Sequence, residues 1–566
     1  MNRNTESHFS QLPRVALPRS IFDRGSSHKT SFNAGDLVPL YVDEILPGDT
    51  VRMKTSKVIR LQTMLTPIMD NVFFDVYWFF VPNRLTWEHW QEFCGENTES
   101  AWAPTTTYTM PKIKSPEGGF DINTIADYMG IPVNVEFTEG ERIPTALPFR
   151  GYALICDTFF RDQNVSDPLN IPLGDANQEG SNGDDYVNDV ANGGKPFRAA
   201  KIHDYFTSAL PAPLKGEPVG FPINFTPFSG ELPVLTSDAF AFESLNTQVP
   251  FKVYGLSAAN GGPHVGTLNI GSNWVNNLAN QSLDVKRGDS IDNTSFATIP
   301  ANLSVTIPES AGVNTNITIN DLRLAFSLQR FLESMARSGS RYIEMLSGLF
   351  GVTSPDARLQ LPEYLGGNRI PVQIHQVTNT AQAEKDFLGD VGAMSLTHDV
   401  HYDFEKSFTE HGYLMCVGVM RYDHSYPQGL EKFWSRNSFT DFYNPIFANI
   451  GEQPIFESEI YFTADGQENV FGYQEAWSDY RYKPNRVSSE MRPGVEKSLA
   501  SWHLSDYYTE APTLSDSWIR EDKTNLDRAL AVTSQVANQA FLDIYFDATY
   551  TRIMPLYSIP MLEGHF

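Results

Sequence analysis

The sequence predicts an all-β dominated protein with one large core, long loop insertions and several short helices. Residues 72–81, VFFDVYWFFV, are apolar or aromatic with the lone exception of Asp75. Six of the ten are aromatic, which suits a strand buried on both faces, and the run is too short for the roughly 20 apolar residues that cross a bilayer. A second run, FLDIYF at 541–546, shows the same order of an aromatic residue, Asp, a β-branched residue, Tyr and an aromatic residue. No Ser/Gly-rich or Pro-rich linker separates the two runs. We therefore expect both runs in one core, with these core-strand residues: Phe73, Phe74, Tyr77, Trp78, Phe541, Ile544, Tyr545 and Phe546.

The first 36 residues are predicted to form an extended N-terminal arm. Segment 1–36 is polar, carries two prolines and five basic groups, and shows neither the helical nor the strand period. Such a segment cannot bury enough apolar surface to fold alone, so it is either disordered or ordered against a neighbour. Short β patterns begin after it, at 37–45 and 51–65, with a Pro-Gly-Asp turn between them.

Short helices and loops are predicted after the first aromatic run. Pro82 ends that run because proline cannot donate to a sheet ladder. Near-helical spacing of large apolar residues predicts a helix over 85–93, and others over 122–129 and 147–160. Residues 164–194 carry six acids and no basic residue. Because they lack the Asp-x-Asp-x-Asp-Gly spacing, we interpret them as a solvated surface loop rather than a calcium site.

Residues 229–318 are the most distinctive region in composition. They are rich in Asn, Ser, Thr and Gly and alternate weakly in short pieces. A structureless loop of this length is improbable in a compact domain, so we predict an inserted β subdomain on the surface. Its low charge and adaptable polar side chains suit contact with another molecule. The core then falls into two parts, 37–228 before the insertion and 319–566 after it.

The clearest helix of the chain follows the insertion. Asn320 is a good N-cap, Asp321 suits the positive end of the helix dipole, and Gly339 is a natural stop. We expect its apolar stripe to pack against the core. The stripe consists of Leu324, Leu328, Phe331, Leu332 and Met335. A further helical turn is predicted over 342–350. Later polar-aromatic connections such as 471–484 suit contacts within or between subunits.

Charge is distributed unevenly along the chain. The net charge is -26, yet residues 1–60 carry nine basic groups against six acids. Most of the surface therefore repels nucleic acid, and phosphate contacts are predicted near the N-terminus. The residues that we select for them are Arg14, Arg19, Arg24 and Lys29. Arg52, Lys54 and Lys57 are weaker candidates, since alternation also suits an ordinary strand face.

Two further features bear on the compartment. The three cysteines are far apart and odd in number, which argues against a disulfide framework and a Cys-based zinc site and favours assembly in a reducing cytosol. The first twenty residues contain no apolar segment of the kind found in signal peptides. The sequence has no run of about 18 apolar residues, so we predict no membrane insertion.

Enzyme motifs are missing from the sequence. No H-E-x-x-H, P-loop, G-x-S-x-G or C-x-x-C is present, and no G-x-G-x-x-G follows a strand. His398 and His401 lie three apart, but an isolated H-x-x-H outside a helix favours ordinary histidines over a metal site. We predict no catalytic residue, metal or cofactor. A β-sandwich carbohydrate-binding or carbohydrate-active protein stays open as the alternative, since 68 acids always supply a carboxylate pair and 13% aromatic residues supply a cleft lining.

Several long blocks in a fixed order carry a family resemblance. They are MDNVFFDVYWFFVPNRLTWEHWQEFCGE from Met69, RYIEMLSGLFGVTSPDARLQLPEYLGG from Arg341, SFTEHGYLMCVGVMR from Ser407, GEQPIF from Gly451, FGYQEAWSDYRYKP from Phe471 and PLYSIPMLEGHF from Pro555. Together they resemble the major capsid protein of gokushoviruses, small tailless single-stranded DNA phages of the microvirus group. The likeness is weakest over 229–318.

The resemblance implies an eight-stranded antiparallel jelly roll whose identical subunits form a T=1 icosahedral shell around circular single-stranded DNA. It implies that the insertion lies between the fifth and sixth strands and that three copies form a protrusion that engages a host cell-surface receptor. The implied partners include a small basic DNA-binding protein and a pilot protein, in a virion assembled in the host bacterial cytoplasm. In this topology the first and last strands are neighbours, so the runs at 72–81 and 541–546 are expected to pair.

Overall fold

The structure is a computed structural model that describes residues 18–98, 106–137, 142–217, 219, 234–236, 251–256, 263–267, 283–287, 303–305, 319–339, 341–353, 360–380, 388–389, 391–463 and 468–557. Residues 1–217 and 330–566 make one compact unit, and residues 218–329 make a second. The predicted segment boundaries at 36, 228 and 318 stay predictions.

The strands are β1 Ser20–Asp23, β2 Ser26–Phe32, β3 Val38–Ile45, β4 Thr50–Leu61, β5 Val72–Pro82, β6 Ile113–Lys114, β7 Gln178–Glu179, β8 Val234–Thr236, β9 Phe251–Leu256, β10 Pro263–Thr267, β11 Leu283–Arg287, β12 Leu303–Val305, β13 Glu363–Pro371, β14 Ile374–Thr378, β15 Val391–Ser395, β16 Thr397–Ser407, β17 Gly412–Tyr422, β18 Glu452–Phe456, β19 Val470–Glu475 and β20 Ala540–Arg552. The α-helices are α1 Asn83–Thr86, α2 Trp90–Phe93, α3 Ile125–Tyr128, α4 Leu147–Ile155, α5 Ile319–Ser338, α6 Tyr342–Phe350, α7 Asp516–Ile519 and α8 Thr524–Asp527.

Two antiparallel sheets in the first unit form a β sandwich. One contains β1, β20, β4 and β16 in that order, with β2 also paired to β20, and the other runs β13, β5, β17, β3. Buried side chains from both sheets make one continuous core. Strand β4 buries every second residue, so one face meets the core and the other meets solvent. The fold is therefore mostly β, as predicted.

Strands β5 and β20 do not pair, and the expectation that they would lie side by side is wrong. β5 pairs with β13 and β17, whereas β20 pairs with β4, β1 and β2. The two strands face each other across the sandwich, where the rings of Trp78 and Phe546 meet edge to face with centroids 5.8 Å apart. Large aromatic side chains from both strands fill the space between the two sheets, which explains why both runs are rich in aromatic residues.

The predicted core residues divide according to the face of the strand. Phe74, Trp78, Ile544 and Phe546 are buried, and Phe73 and Tyr77 are half-buried on the other face of β5. That face is covered by a second apolar cluster, which includes residues of α4, so β5 is largely buried on both faces as predicted. For β20 the prediction is wrong at two positions, because this strand alternates: Phe541 and Tyr545 are 42% and 49% exposed.

The described part of the predicted N-terminal arm is ordered on the chain's own sheet. Strands β1 and β2 hydrogen-bond along β20 in antiparallel register, from Ser20 opposite Arg552 to Phe32 opposite Ala540. Phe32 at the end of β2 is fully buried in the core. A segment with almost no apolar surface is ordered here by backbone pairing with an existing strand.

Helix α5 differs from its prediction in where its apolar stripe lies. Leu324, Leu328 and Phe331 are 68%, 44% and 43% exposed, so the prediction is wrong for these three, whereas Leu332 and Met335 are half-buried. The i, i+4, i+7 spacing of the three exposed residues reports one apolar face but does not say what covers it. In the second unit β9 pairs with β10 and β11, and β12 pairs with β8. The rest of the predicted subdomain at 229–318 lies outside the described residues.

The other predicted helices are present, over the predicted span at 342–350 and over the shorter span Ile125–Tyr128 within 122–129. The helix predicted over 85–93 consists of α1 and α2, and between them Trp87 is fully buried. The helix over 147–160 is α4 followed by a π-turn. Among the described residues, no helix has both the length and the apolar character to cross a membrane.

Candidate assembly surface

An exposed apolar surface lies on the long connection after β17. Phe439 and Ile446 are 75% and 84% exposed, and Phe442, Tyr443 and Ile450 are about half exposed. We call these five residues the apolar patch. At roughly 200 Å² for each large side chain, these five residues together expose about 600 Å² of apolar surface within twelve residues of the chain. Apolar surface of this size is often functional.

Local hydrogen bonds fix the backbone of the patch. Short 3-10 turns span Phe439–Asp441 and Pro445–Phe447. The Asp441 carboxylate accepts from the backbone N–H of Ser438 at 2.7 Å, and the Asn444 side chain accepts from the N–H of Ile446 at 3.0 Å. These side chains satisfy backbone donors that the turns leave open, so the loop holds its shape without a core of its own.

Contacts with the connection after β19 hold the patch on the body of the protein. The Trp477 indole N–H donates to the Phe447 carbonyl at 2.8 Å, and the Tyr443 N–H donates to the Tyr480 hydroxyl at 3.2 Å. The Arg436 guanidinium pairs with Asp479 and lies 4.3 Å from the ring centroid of Tyr480. The aromatic residues are thus positioned before any partner arrives, which lowers the entropic cost of association.

A buried ionic cluster lies elsewhere in the first unit. His424 lies between Asp506 and Glu521, with nitrogen-oxygen distances of 2.8 and 2.9 Å, and Lys201 lies 3.3 Å from Asp506. Burial lowers the pKa of His424, but the two carboxylates outweigh it and raise the pKa to about 10. Burial alone would raise the pKa of Asp506, but His424 and Lys201 hold it far below its usual range. This cluster is charged at neutral pH and ties together segments far apart in sequence.

The residues predicted to contact phosphate are dispersed. Arg14 lies outside the described residues, and Arg19 is exposed just before β1. Arg24 pairs with Asp43 at 2.6 Å, and Lys29 pairs with Asp543 at 3.2 Å. Ion pairing weakens the attraction of Arg24 and Lys29 for phosphate, although both pairs are partly exposed. The role of these residues stays a prediction.

The structure does not support the metal sites that the sequence left open. His398 and His401 are three apart on β16, so they project from opposite faces of the strand. In the acidic loop, Asp175 accepts from the Trp87 indole at 2.7 Å and contacts His89 at 2.9 Å. Within the described ranges, no three His, Cys, Asp or Glu residues are grouped to hold a metal ion.

The apolar patch was not predicted from the sequence. Residues 433–450, FWSRNSFTDFYNPIFANI, contain seven of the large apolar side chains that are exposed in the structure, spaced with neither period. An aperiodic run of aromatics between turn-forming Ser, Asn and Pro was the available signal. It does not by itself distinguish a buried connection from an exposed one.

The fold and the apolar patch together indicate a class of protein. A β sandwich that presents an exposed apolar loop has the properties of a protein that associates with other chains.

The comparisons identify the family. A family model described as capsid protein (F protein) matches residues 10–562, and the chain belongs to this family. It is 38% identical to the protein named Capsid protein VP1 of Spiroplasma virus 4 over 564 residues, covering 98% of this chain and 97% of the relative. It is 37% identical to Capsid protein VP1 of Chlamydia phage 1, covering 99% and 98%, and 37% identical to that of Bdellovibrio phage phiMH2K, covering 100% and 99%.

These findings confirm the resemblance to gokushovirus capsid proteins. The chain is a structural capsid protein, and the relatives speak against the carbohydrate-active alternative.

Proposed function

We propose that the chain is a major capsid protein whose identical copies form a T=1 icosahedral shell around circular single-stranded DNA. The apolar patch is the observation that carries this proposal. Apolar surface is costly to leave in water, and in a closed shell every copy covers the surface of a neighbour. The two-sheet sandwich supports an eight-stranded jelly roll as the core of the subunit.

Electron microscopy tests the proposal directly. Negative-stain images of purified full-length protein are expected to show uniform closed particles, with or without the minor virion proteins. Light scattering at rising protein concentration gives an independent measure of mass. A protein that stays monomeric at every concentration in both measurements would contradict the shell.

The proposal places the protein in the virion, after assembly in the host bacterial cytoplasm. Cys94, Cys156 and Cys416 are all free thiols, which suits a reducing compartment. The net charge of -26 keeps most of the surface from binding DNA, so we include a small basic DNA-binding protein among the partners, together with a pilot protein.

Host attachment is assigned to the inserted segment 229–318. Replacing it with a short Gly/Ser linker is expected to leave shell formation intact and to abolish adsorption to host cells. The reason is that the sandwich core lies in residues 1–217 and 330–566, outside the segment. Adsorption is measured by the depletion of particles from solution by cells. Normal adsorption after the replacement would show that the receptor-binding surface lies outside segment 229–318.

The N-terminal arginines and lysine are assigned to the genome. Changing Arg14, Arg19, Arg24 and Lys29 together to Gln is expected to lower the amount of DNA per particle, because four phosphate-neutralising charges are lost. The ratio of absorbance at 260 and 280 nm of purified particles measures it. The double variant Lys112→Gln and Arg142→Gln, two exposed basic residues elsewhere, serves as the control. Equal DNA content in both sets of particles would show that these four residues do not contribute to DNA packaging.

A further inference from the structure

Two adjoining clefts lie next to the loop that carries the apolar patch. They have volumes of about 380 and 330 Å³, within the size range of ligand sites. Both are lined by Phe206, Glu431, Glu459 and Pro484, so they form one continuous recess. We call this recess the aromatic-basic cleft. No residue of the apolar patch lines it.

The cleft carries an excess of positive charge on a strongly acidic chain. Three acidic side chains line it, against six basic ones: Lys432, Arg436, Arg481, Lys483, Arg486 and Arg492. A fourth carboxylate, that of Glu475, pairs with Arg481 from outside the cleft. The single carboxylate of Glu431 pairs with both Lys483 and Arg486, so it neutralises only one of the two charges. The side chains of Lys483 and Arg486 are 63% and 58% exposed, so an anion in solvent can reach them.

Exposed aromatic rings border the same cations. Trp434 is 65% exposed, and its ring centroid lies 4.5 Å from that of Phe433. The Lys483 ammonium lies 5.0 Å from the centroid of Phe433. Tyr480, which also lines the first cleft, is half exposed. Flat rings that face solvent beside cations are the combination that binds unpaired bases and their phosphates.

We propose that the aromatic-basic cleft binds single-stranded nucleic acid, with a base stacked on Trp434 and phosphates beside Lys483 and Arg486. The inference rests on the proposed function, which supplies single-stranded DNA as the partner. A second copy of this chain is the weaker occupant, because the exposed rings of Phe433 and Trp434 beside the cations suit stacked bases, and the apolar patch already offers a surface for contact between copies. Paired bases do not fit, since a duplex hides the faces that stack.

Binding of a fluorescein-labelled oligo(dT) to the full-length protein tests the proposal. Anisotropy is measured at a concentration where light scattering shows no shells. Trp434→Ala is expected to weaken binding about ten-fold, the usual loss for one stacked base. The double variant Lys483→Gln and Arg486→Gln is expected to lower the slope of log Kd against log salt by about 1.4, the value for two single-strand phosphate contacts. The control pair Lys112→Gln and Arg142→Gln should bind like the wild type.

The outcomes distinguish the proposal that the cleft binds nucleic acid from the proposal that the protein forms a shell. All of these side chains are exposed, so circular dichroism and Tm should match the wild type. Cleft variants that bind oligo(dT) as tightly as the control overturn the proposal even if shells form. If Trp434→Ala stops shell formation and leaves oligo(dT) affinity unchanged, the cleft is a contact between copies. If binding depends on the cleft but the wild type never forms shells, the proposed function fails and the cleft stands.

Discussion

The double variant Phe439→Asp and Ile446→Asp is expected to abolish shell formation and to leave the subunit folded. Both side chains are mostly exposed in the single chain, so the change costs the fold little. In a contact between copies each would bury a large apolar group worth about 1.5–3 kcal/mol, and each aspartate would bring an unpaired charge into that contact. A combined loss of 3 kcal/mol or more per contact corresponds to over 100-fold weaker association at each interface.

Electron microscopy and light scattering measure the loss of particles, and thermal unfolding measures the subunit. The variant Phe439→Leu and Ile446→Val keeps the patch apolar and is expected to assemble. A Tm equal to the wild type excludes misfolding as the cause. Normal shells from the aspartate variant would show that the patch faces solvent in the particle, and the observation that carries the proposed function would be lost.

Much of the architecture could be predicted from sequence, because burial has a period. Strand β4 shows this well. The period of two places Arg52 and Lys54 on one face and Lys57 on the other, and Lys57 is indeed buried, paired with Asp399 at 3.2 Å. The period states which residues share a face but not which strand lies alongside. The pairing of β20 with β4 rather than β5 depends on contacts between residues that lie hundreds of positions apart. The pattern of residue types within one strand does not identify its partner strand.

Polar residues in apolar runs show the same limit. Asp75 is the one acid in the opening aromatic run, and its partners are Arg369 and Arg421, about 300 residues further along the chain. The sequence marks Asp75 as unusual because a buried carboxylate needs a partner. It cannot name that partner, since the ion pairs form only after β13 and β17 lie on either side of β5.

The apolar patch and the aromatic-basic cleft were the least predictable parts. Both depend on irregular connections whose shape comes from local hydrogen bonds, such as those of Asp441 and Asn444, and from distant anchors such as Trp477. An exposed aromatic and a buried one are the same letter in the sequence. The family resemblance supplied the function, whereas the exposure of individual side chains supplied the surfaces.

The buried cluster around His424 is expected to give the largest stability effect. Asp506→Ala removes a carboxylate that contacts His424 at 2.8 Å and Lys201 at 3.3 Å, and it leaves two buried cations with one fewer partner. Breaking a buried ion pair on one side costs about 3–5 kcal/mol. Urea unfolding of the unassembled subunit measures this loss. As a control, Asp543→Ala removes only the exposed partner of Lys29 and should cost less than about 1 kcal/mol.

The pH dependence of stability gives the sign of the His424 contribution. The pKa of His424 rises from an unfolded value near 6.5 to about 10 in the folded protein, so the folded state holds its proton more tightly. Its contribution is fully present below pH 6.5 and is lost as the pH rises through about 10. The free energy of unfolding of the wild type should therefore fall over this interval more steeply than that of His424→Gln, which has no titrating group there. Parallel curves for the two proteins would show that His424 is neutral when folded, and the cluster would then be held by Lys201 and hydrogen bonds alone.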